Sequence, residues 1–413
     1  MTTHLRVVNP PLGSYLRPAR NDHRVLLQLL SENQLGATGL VVDPVLVGRH
    51  GELLTEAGRQ GIETVLDPRS IDLSTRAGFQ LSGVAQLPWA AAQAHTPDEL
   101  AGPAGLLLVE ALAEFAVAQE LSAALAPTHI IEYLNDPWLD VDAALVRSLR
   151  RALDSRGRAA TPIYYPLTLR SKLFGLPKAR EVLVERLGDL PIDAVWLRVH
   201  PFGTTSAGPV ALRRYIDACQ EFHKLNIPLI GEHTGTVGLS LLAFGAVGGI
   251  ESGLTLGERF DLGRYTKDGE GKGFLPAPRV YLHSLGAFVS RDQAEAFFRR
   301  PGMRSAHGCN DQRCCRRGWQ DMVADPRRHF VVRRGAEVAA LSGVPAQLRV
   351  NVYMNDFLRR ASDAAVRAER AEPALAPARR RLDSWRGALD AMADRQADRT
   401  VALAPTGERA AAR

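Results

Sequence analysis

Hydrophobic and polar positions along the chain alternate between two textures. Short runs of aliphatic and β-branched residues end on a polar residue and a turn: TGLVVDP (Thr38–Pro44), IETVLDP (Ile62–Pro68), GLLLVE (Gly105–Glu110), THIIEYLND (Thr128–Asp136), TPIYYPL (Thr161–Leu167), AVWLRVHPFG (Ala194–Gly203), IPLIGEHTG (Ile227–Gly235) and GGIESG (Gly248–Gly253). Between them lie longer stretches with helical spacing of apolar residues, such as ALVRSLRRALDS (Ala144–Ser155) and VALRRYIDACQEFHKL (Val210–Leu225). Repeated β-then-α units predict parallel strands joined by helical crossovers. Eight such runs, with no G-x-G-x-x-G after the first, favour an α/β fold of the (β/α)8 TIM-type barrel over a doubly wound sheet. The Gly105–Glu110 run also suits a helix, and RVYLHSL (Arg279–Leu285) could replace it as a strand.

This pattern divides the chain into an N-terminal segment (1–37), the barrel (38–300), a Cys- and Arg-rich zinc-type insertion (301–345), closing helices (346–385) and a tail (386–413). The tail is rich in alanine, arginine and proline, a composition that predicts disorder.

Composition narrows the class. The chain has 413 residues, 46% of them hydrophobic and 23% charged, which is enough to bury a large core. No uncharged run approaches the ~18 residues of a membrane span, and the start lacks the apolar core of a signal peptide. The expectation is a cytoplasmic protein with no membrane partner. Homo-oligomeric and hetero-oligomeric assembly are both compatible with the sequence.

Four cysteines cannot make a disulfide scaffold for so long a chain. Cys219 lies alone on a helical pattern and reads as a small buried hydrophobe. The other three crowd into HGCNDQRCCRRGW (His307–Trp319). Thiolates brought together by a short loop suit a structural zinc ion, with Cys309, Cys314 and Cys315 as ligands and His329 or His307 as the fourth. A redox role is the competing reading, since neighbouring arginines lower a thiol's pKa. Between Arg300 and Arg334 nine arginines face three aspartates. That excess suggests a surface for phosphates of a nucleic acid.

In such barrels the chemistry gathers at the C-terminal ends of the strands. The residues there are Asp43, Asp67, Glu132, Asp136, Tyr165, Arg198, His200, Glu232, His233 and Glu251. Carboxylates and histidines facing one mouth suit acid, base or nucleophilic work on a polar substrate. The loop IDLSTRAGFQLSG (Ile71–Gly83) could let a flat substrate approach the backbone at Gly78 and stack on Phe79.

In their order these features resemble the tRNA-guanine transglycosylase superfamily. STRAGFQ (Ser74–Gln80) resembles its T-D-S-G-G-F-Q loop, and PLIGEHTGTVGLSLLAFGAVGGIESG resembles its strand, helix and strand leading to G-[IV]-D-x-F-D. The cluster Cys309–Cys315 stands where the family has C-x-C-x-x-C, and LRVNVYMNDFLRRA resembles its closing helix. The resemblance spans roughly Thr38 to Ala361 and departs from the family at the catalytic positions. Thr75 and Leu254 stand where the family has aspartates, and Val350 stands near its zinc-ligating histidine.

The resemblance implies a nucleobase-modifying transferase that exchanges a base in tRNA or DNA through a carboxylate nucleophile. Glu251 is the expected nucleophile, with Asp136 and Glu232 reading or protonating the base. Gly78, Phe79, Gln80, His200 and His233 are expected to bind it. Two other classes remain: a small-molecule barrel lyase or hydrolase with a divalent metal at His200, His233 and nearby acids, and a non-catalytic nucleic-acid-binding paralogue or partner subunit.

Overall fold

A computed structural model describes residues 11–266 and 277–393. Eight parallel strands close on one another: β1 (Gly13–Arg17), β2 (Gly39–Val42), β3 (Glu63–Leu66), β4 (Ala123–Leu125), β5 (Ile163–Arg170), β6 (Ala194–His200), β7 (Leu229–Glu232) and β8 (Gly249–Gly253). Each pairs with the next, and β8 pairs with β1 in the register Tyr15 to Glu251 and Arg17 to Gly253. The (β/α)8 barrel expected from the sequence is therefore present.

Its strands differ from the expected set in three places. The barrel begins at β1, inside the segment set apart as 1–37, where GSYLR followed by proline has the same apolar-to-polar ending as the later strands. Gly105–Glu110 belongs to a helix, Pro103–Ala118, whose first turn carries the proline and whose Leu106 and Leu107 point to solvent. The fourth strand is Ala123–Leu125; of the Thr128–Asp136 run only Ile130–Ile131 is extended, against the far end of β5. Arg279–Leu285 adds no barrel strand either: Val280–Leu282 forms an antiparallel hairpin with Ala287–Val289.

The barrel interior is filled by Tyr15, Val41, Val65, Leu125, Tyr164, Trp196 and Ile230, which form one buried cluster. Side chains on a strand alternate between faces, so residues two positions further on point inward above this plug. Those residues are Arg17 after Tyr15, Asp67 after Val65, Arg198 after Trp196 and Glu232 after Ile230. At the opposite end the hydroxyls of Tyr15 and Tyr164 both donate to Glu63. The larger outer core lies between the strands and the helices around them; Cys219 is fully buried there, where burial pushes its thiol upward.

Beyond β8 the chain builds the hairpin, a helix α1 (Arg291–Arg299), the cysteine loop, and three long helices α2 (Pro326–Ser342), α3 (Arg360–Ala371) and α4 (Ala376–Ala393). Helix α2 rests on the barrel at a close backbone crossing, where a Cβ on Gly36 would stand 3.2 Å from Gly335 Cα. The expected tail starts inside α4, and residues 394–413 lie outside the described residues, as do residues 267–276. Among the described residues no helix is long and apolar enough to cross a membrane.

Candidate active site and metal centre

The barrel mouth holds an ion network centred on Arg17. Its Nε donates to Glu251 Oε1 at 3.1 Å, one terminal nitrogen donates to Glu232 Oε1 at 3.0 Å, and the other pairs with Asp67. Arg198 lies beneath, 2.6 Å from Glu232 Oε2 and 3.3 Å from Asp67. Register explains the convergence, since Glu251 stands opposite Glu232 on adjacent strands. The Arg17 side chain is 19% exposed and that of Glu251 0%, so the arginine forms the outer layer and the carboxylates the inner one.

Charge decides the protonation of the group. Burial alone would raise the Glu232 carboxyl, but Arg198 and Arg17 outweigh it and hold it below the ordinary carboxylate range. For Asp67 burial is likewise overcome by Arg17 and Arg198, and its carboxyl is also held below the ordinary range. The guanidiniums of Arg17 and Arg198 face three carboxylates, and His233 stands beside the third, Glu251. The imidazole Nδ1 lies 3.3 Å from Glu251 Oε2, and the His233 backbone N–H donates to the same oxygen at 3.1 Å. His233 reaches this position with φ at +52°, in the left-handed region.

The network brings together three of the expected residues, Glu232, His233 and Glu251. These three place ligand atoms within 4.8 Å of one another, close enough for a metal ion. Arg17 already sits on their carboxylate oxygens, so a divalent cation there would stand against a guanidinium. His200 is not in the group; its Nδ1 accepts from the Leu262 amide at 3.0 Å and helps to pin the loop after β8.

The other expected residues lie in their own loops. Asp136 accepts from the amides of Glu132 and Trp138, which makes it the turn that starts the helix Trp138–Ser155. Glu132 pairs with Arg170 at the surface. Gly78 is required by packing, because a Cβ there would stand 2.5 Å from Asp72 Cα. Phe79 packs half-buried against the outer core, and Gln80 is exposed at the end of the short helix Arg76–Phe79. Thr75 donates its hydroxyl to the Ile71 carbonyl, and Leu254 is buried.

Arg17 is the site residue the sequence reading missed. Asp67 and Arg198 stood among its strand-end residues without a role. The ending of GSYLRP was the available signal for Arg17.

The second constellation is the cysteine cluster. Cys309, Cys314, Cys315 and His329 are all buried, their ligand atoms lie within 4.8 Å of one another, and no disulfide forms. The Asp311 carbonyl accepts from both the Cys314 and Cys315 amides, and this tight turn aims two adjacent thiols the same way. His329 stands in the first turn of α2, and its Nε2 faces the Tyr281 carbonyl at 2.9 Å, so that proton lies on Nε2 and the Nδ1 lone pair faces the sulfurs.

Four donors on a tetrahedron, with metal–sulfur bonds of ~2.3 Å and metal–nitrogen bonds of ~2.0 Å, imply S···S of about 3.8 Å and S···N of about 3.5 Å. The cluster has Cys309 Sγ to Cys314 Sγ at 3.8 Å, and His329 Nδ1 at 3.7 Å from Cys314 and 3.3 Å from Cys315. The donor set therefore fits a metal ion. His307 is turned away, with Nδ1 at 2.9 Å from the Ser284 hydroxyl.

Beside this cluster an open groove of about 320 Å³ is lined by Arg313, Arg316, Arg317 and Arg328. Much of their charge is answered locally: Arg313 by Asp311, Arg317 by Asp321, and Arg328 by Glu32. Arg316 is exposed.

No protein-family model matches the chain, and no curated protein matches its sequence. Among solved structures it is similar to a Penicillium canescens endo-1,4-beta-xylanase at 11% identity and a TM-score of 0.37, over 57% of this chain and 81% of that one. Xylanase 10B from Thermotoga maritima has 10% identity and a TM-score of 0.38, over 59% and 82%. The carboxyl transferase domain of Rhizobium etli pyruvate carboxylase has 11% identity and a TM-score of 0.37, over 84% and 65%. The barrel assignment rests on the chain's own closed strand order.

Proposed function

We propose that the protein is a barrel enzyme that exchanges a nucleobase in tRNA or DNA, with Glu251 as nucleophile and a structural zinc ion at Cys309, Cys314, Cys315 and His329. The observation that carries the reading is the joint presence of two carboxylates on adjacent strands at the mouth and a three-cysteine, one-histidine knot after the last strand. The knot is what the transglycosylase resemblance implies, and Glu251 matches an acidic residue of the family three positions before its nucleophile. When bound, zinc would tie the 309–315 loop to α2 and hold the groove arginines in place; it takes no part in the reaction.

Exchange requires a Glu251 oxygen to bond to the sugar C1′ while the bond from C1′ to the base nitrogen breaks and the base leaves with the electron pair. The displaced base takes up a proton from water as it leaves; the incoming base then attacks C1′ through its ring nitrogen, gives one proton back to water and frees the carboxylate. Glu232, ionised between two arginines, accepts hydrogen bonds and does not donate the proton. Arg17 covers Glu251, so a substrate phosphate that draws Arg17 outward would uncover the nucleophile. The target nucleotide must leave its stack to reach the mouth.

Incubation with radiolabelled guanine and unfractionated tRNA, and separately with duplex DNA, tests the reading. Label is expected in one polymer with the natural protein and in neither with Glu251→Gln. A protein that binds tRNA at low salt but exchanges no base supports the second reading, a non-catalytic nucleic-acid binder. The observation that favours it is the full neutralisation of Glu232 and Asp67 by Arg17 and Arg198.

A further inference from the structure

A cavity of about 210 Å³ lies between the loops that follow β6 and β8 and the C-terminal hairpin and helices. It is far larger than the ~10–15 Å³ that holds one water and smaller than the ~300–1,000 Å³ of drug-sized sites. Its walls combine apolar surface, including Phe288 and Phe297, with the side chains of Arg279 and Arg381.

The two arginines are set differently from those of the mouth. Arg381 lies 5.4 Å over the Trp385 ring and gives one weak hydrogen bond, at 3.3 Å, to the Gly286 carbonyl. Among the described residues no carboxylate stands within 4.0 Å of its guanidinium, and its buried Nε has no acceptor. Burial holds its pKa below the ordinary arginine value. Arg279 lies 5.1 Å over the Phe288 ring.

Glu258 acts on Arg381 only through space, without an ion-pair contact, and both acids of the cavity have other partners. Glu258 Oε2 accepts from the Thr236 amide at 3.3 Å, and Glu372 faces Arg300 at 3.8 Å. A buried guanidinium with no carboxylate in contact is costly, and a carboxylate ligand offsets that cost through a forked pair of hydrogen bonds. The flat apolar faces beside it suit a hydrocarbon body of similar size.

We infer that this cavity binds a small organic carboxylate with an apolar body, its carboxylate on Arg381 and Arg279 and its body against Phe288 and Phe297. The site shares no lining residue with the barrel mouth, and its wall is tied to the loop after β7. Thr204 donates its amide to the Glu258 carbonyl at 2.8 Å, and Thr236 donates its amide to the Thr204 hydroxyl at 2.6 Å.

Calorimetric titration of the full chain with benzoate, benzamide and inorganic phosphate tests the site. Benzoate is expected to bind, with benzamide and phosphate weaker by about tenfold or more, since one lacks the charge and the other the apolar body. Arg381→Met should remove at least that factor of affinity, and so should Ala378→Leu, which fills the cavity and leaves both arginines in place. Absence of benzoate binding at about 10 mM, the weak end of specific affinity, overturns the inference. Binding that both variants leave unchanged, or that benzamide matches, overturns it as well.

Discussion

Arg17 on the first strand and Glu251 on the last are joined by a 3.1 Å ion pair, so the seam that closes the barrel is also the centre of its charged mouth. The same guanidinium serves Glu232 and Asp67. One side chain thus compensates three buried acids from three strands.

Removing that side chain should destabilise the fold. Arg17→Met leaves Arg198 as the one guanidinium paired with Glu232 and Asp67 and takes the arginine from Glu251, and loss of one partner from a buried pair costs about 3–5 kcal/mol. Urea unfolding should show this as a lower midpoint with an unchanged slope. The double variant Arg17→Met/Glu251→Gln should recover about 1–3 kcal/mol, because it also removes one stranded charge. Strictly additive losses would mean that the two side chains are not coupled.

The pH dependence has a definite sign. Glu232 and Asp67 both titrate lower in the folded chain than their ordinary values, so the native state binds fewer protons than the unfolded one. Their contribution is complete above the unfolded values of about 4, and it is lost as pH falls through that point toward the folded values. The stability difference between the natural protein and Asp67→Asn should therefore shrink as pH drops from about 6 to 3. A difference that stays constant across that window would mean that Asp67 titrates normally.

The metal centre separates two histidines. His329 faces the thiols with Nδ1, while His307 is held by Ser284. Purified protein should carry one equivalent of zinc by elemental analysis. Cys315→Ser and His329→Ala should lower zinc affinity by about tenfold or more, and chelation should lower the melting temperature of the natural protein. His307→Ala should keep its metal, and loss of zinc from that variant would show that the ligand assignment is wrong.

How far the sequence was legible depends on how local each signal was. Glu232, His233 and Glu251 could be read because each lies in or just after a strand whose run turns polar, and the register then brings them together. The cysteine cluster was legible from spacing, while the choice of His329 over His307 depended on Tyr281, which stands 48 residues away from His329. Arg17 was missed because its strand, GSYLR, carries only two apolar residues, Tyr15 and Leu16, and so lacks the aliphatic run of the strands that were read. Asp136 misled for the opposite reason: a buried aspartate at a strand-like end can serve only to cap the next helix. Phe79 and Gly78 look like a stacking platform in sequence, yet their constraints come from packing within one loop.

The arginine groove yields a prediction that distinguishes surface charge from structural charge. Arg316 is exposed beside the groove, whereas Arg328 is committed to Glu32, Gln34 and the Arg313 carbonyl. If the groove holds a phosphate backbone, each side chain that contacts a phosphate contributes about one unit to the slope of log affinity against log salt. Arg316→Gln should then lower that slope by about one in filter binding to unfractionated tRNA, with no change in melting temperature. Arg328→Gln should lower the melting temperature, because it unties α2 from Glu32 and Gln34 on the barrel side. A salt slope that Arg316→Gln leaves untouched would remove the groove from the binding surface, and the polymer would then have to contact other charges around the mouth.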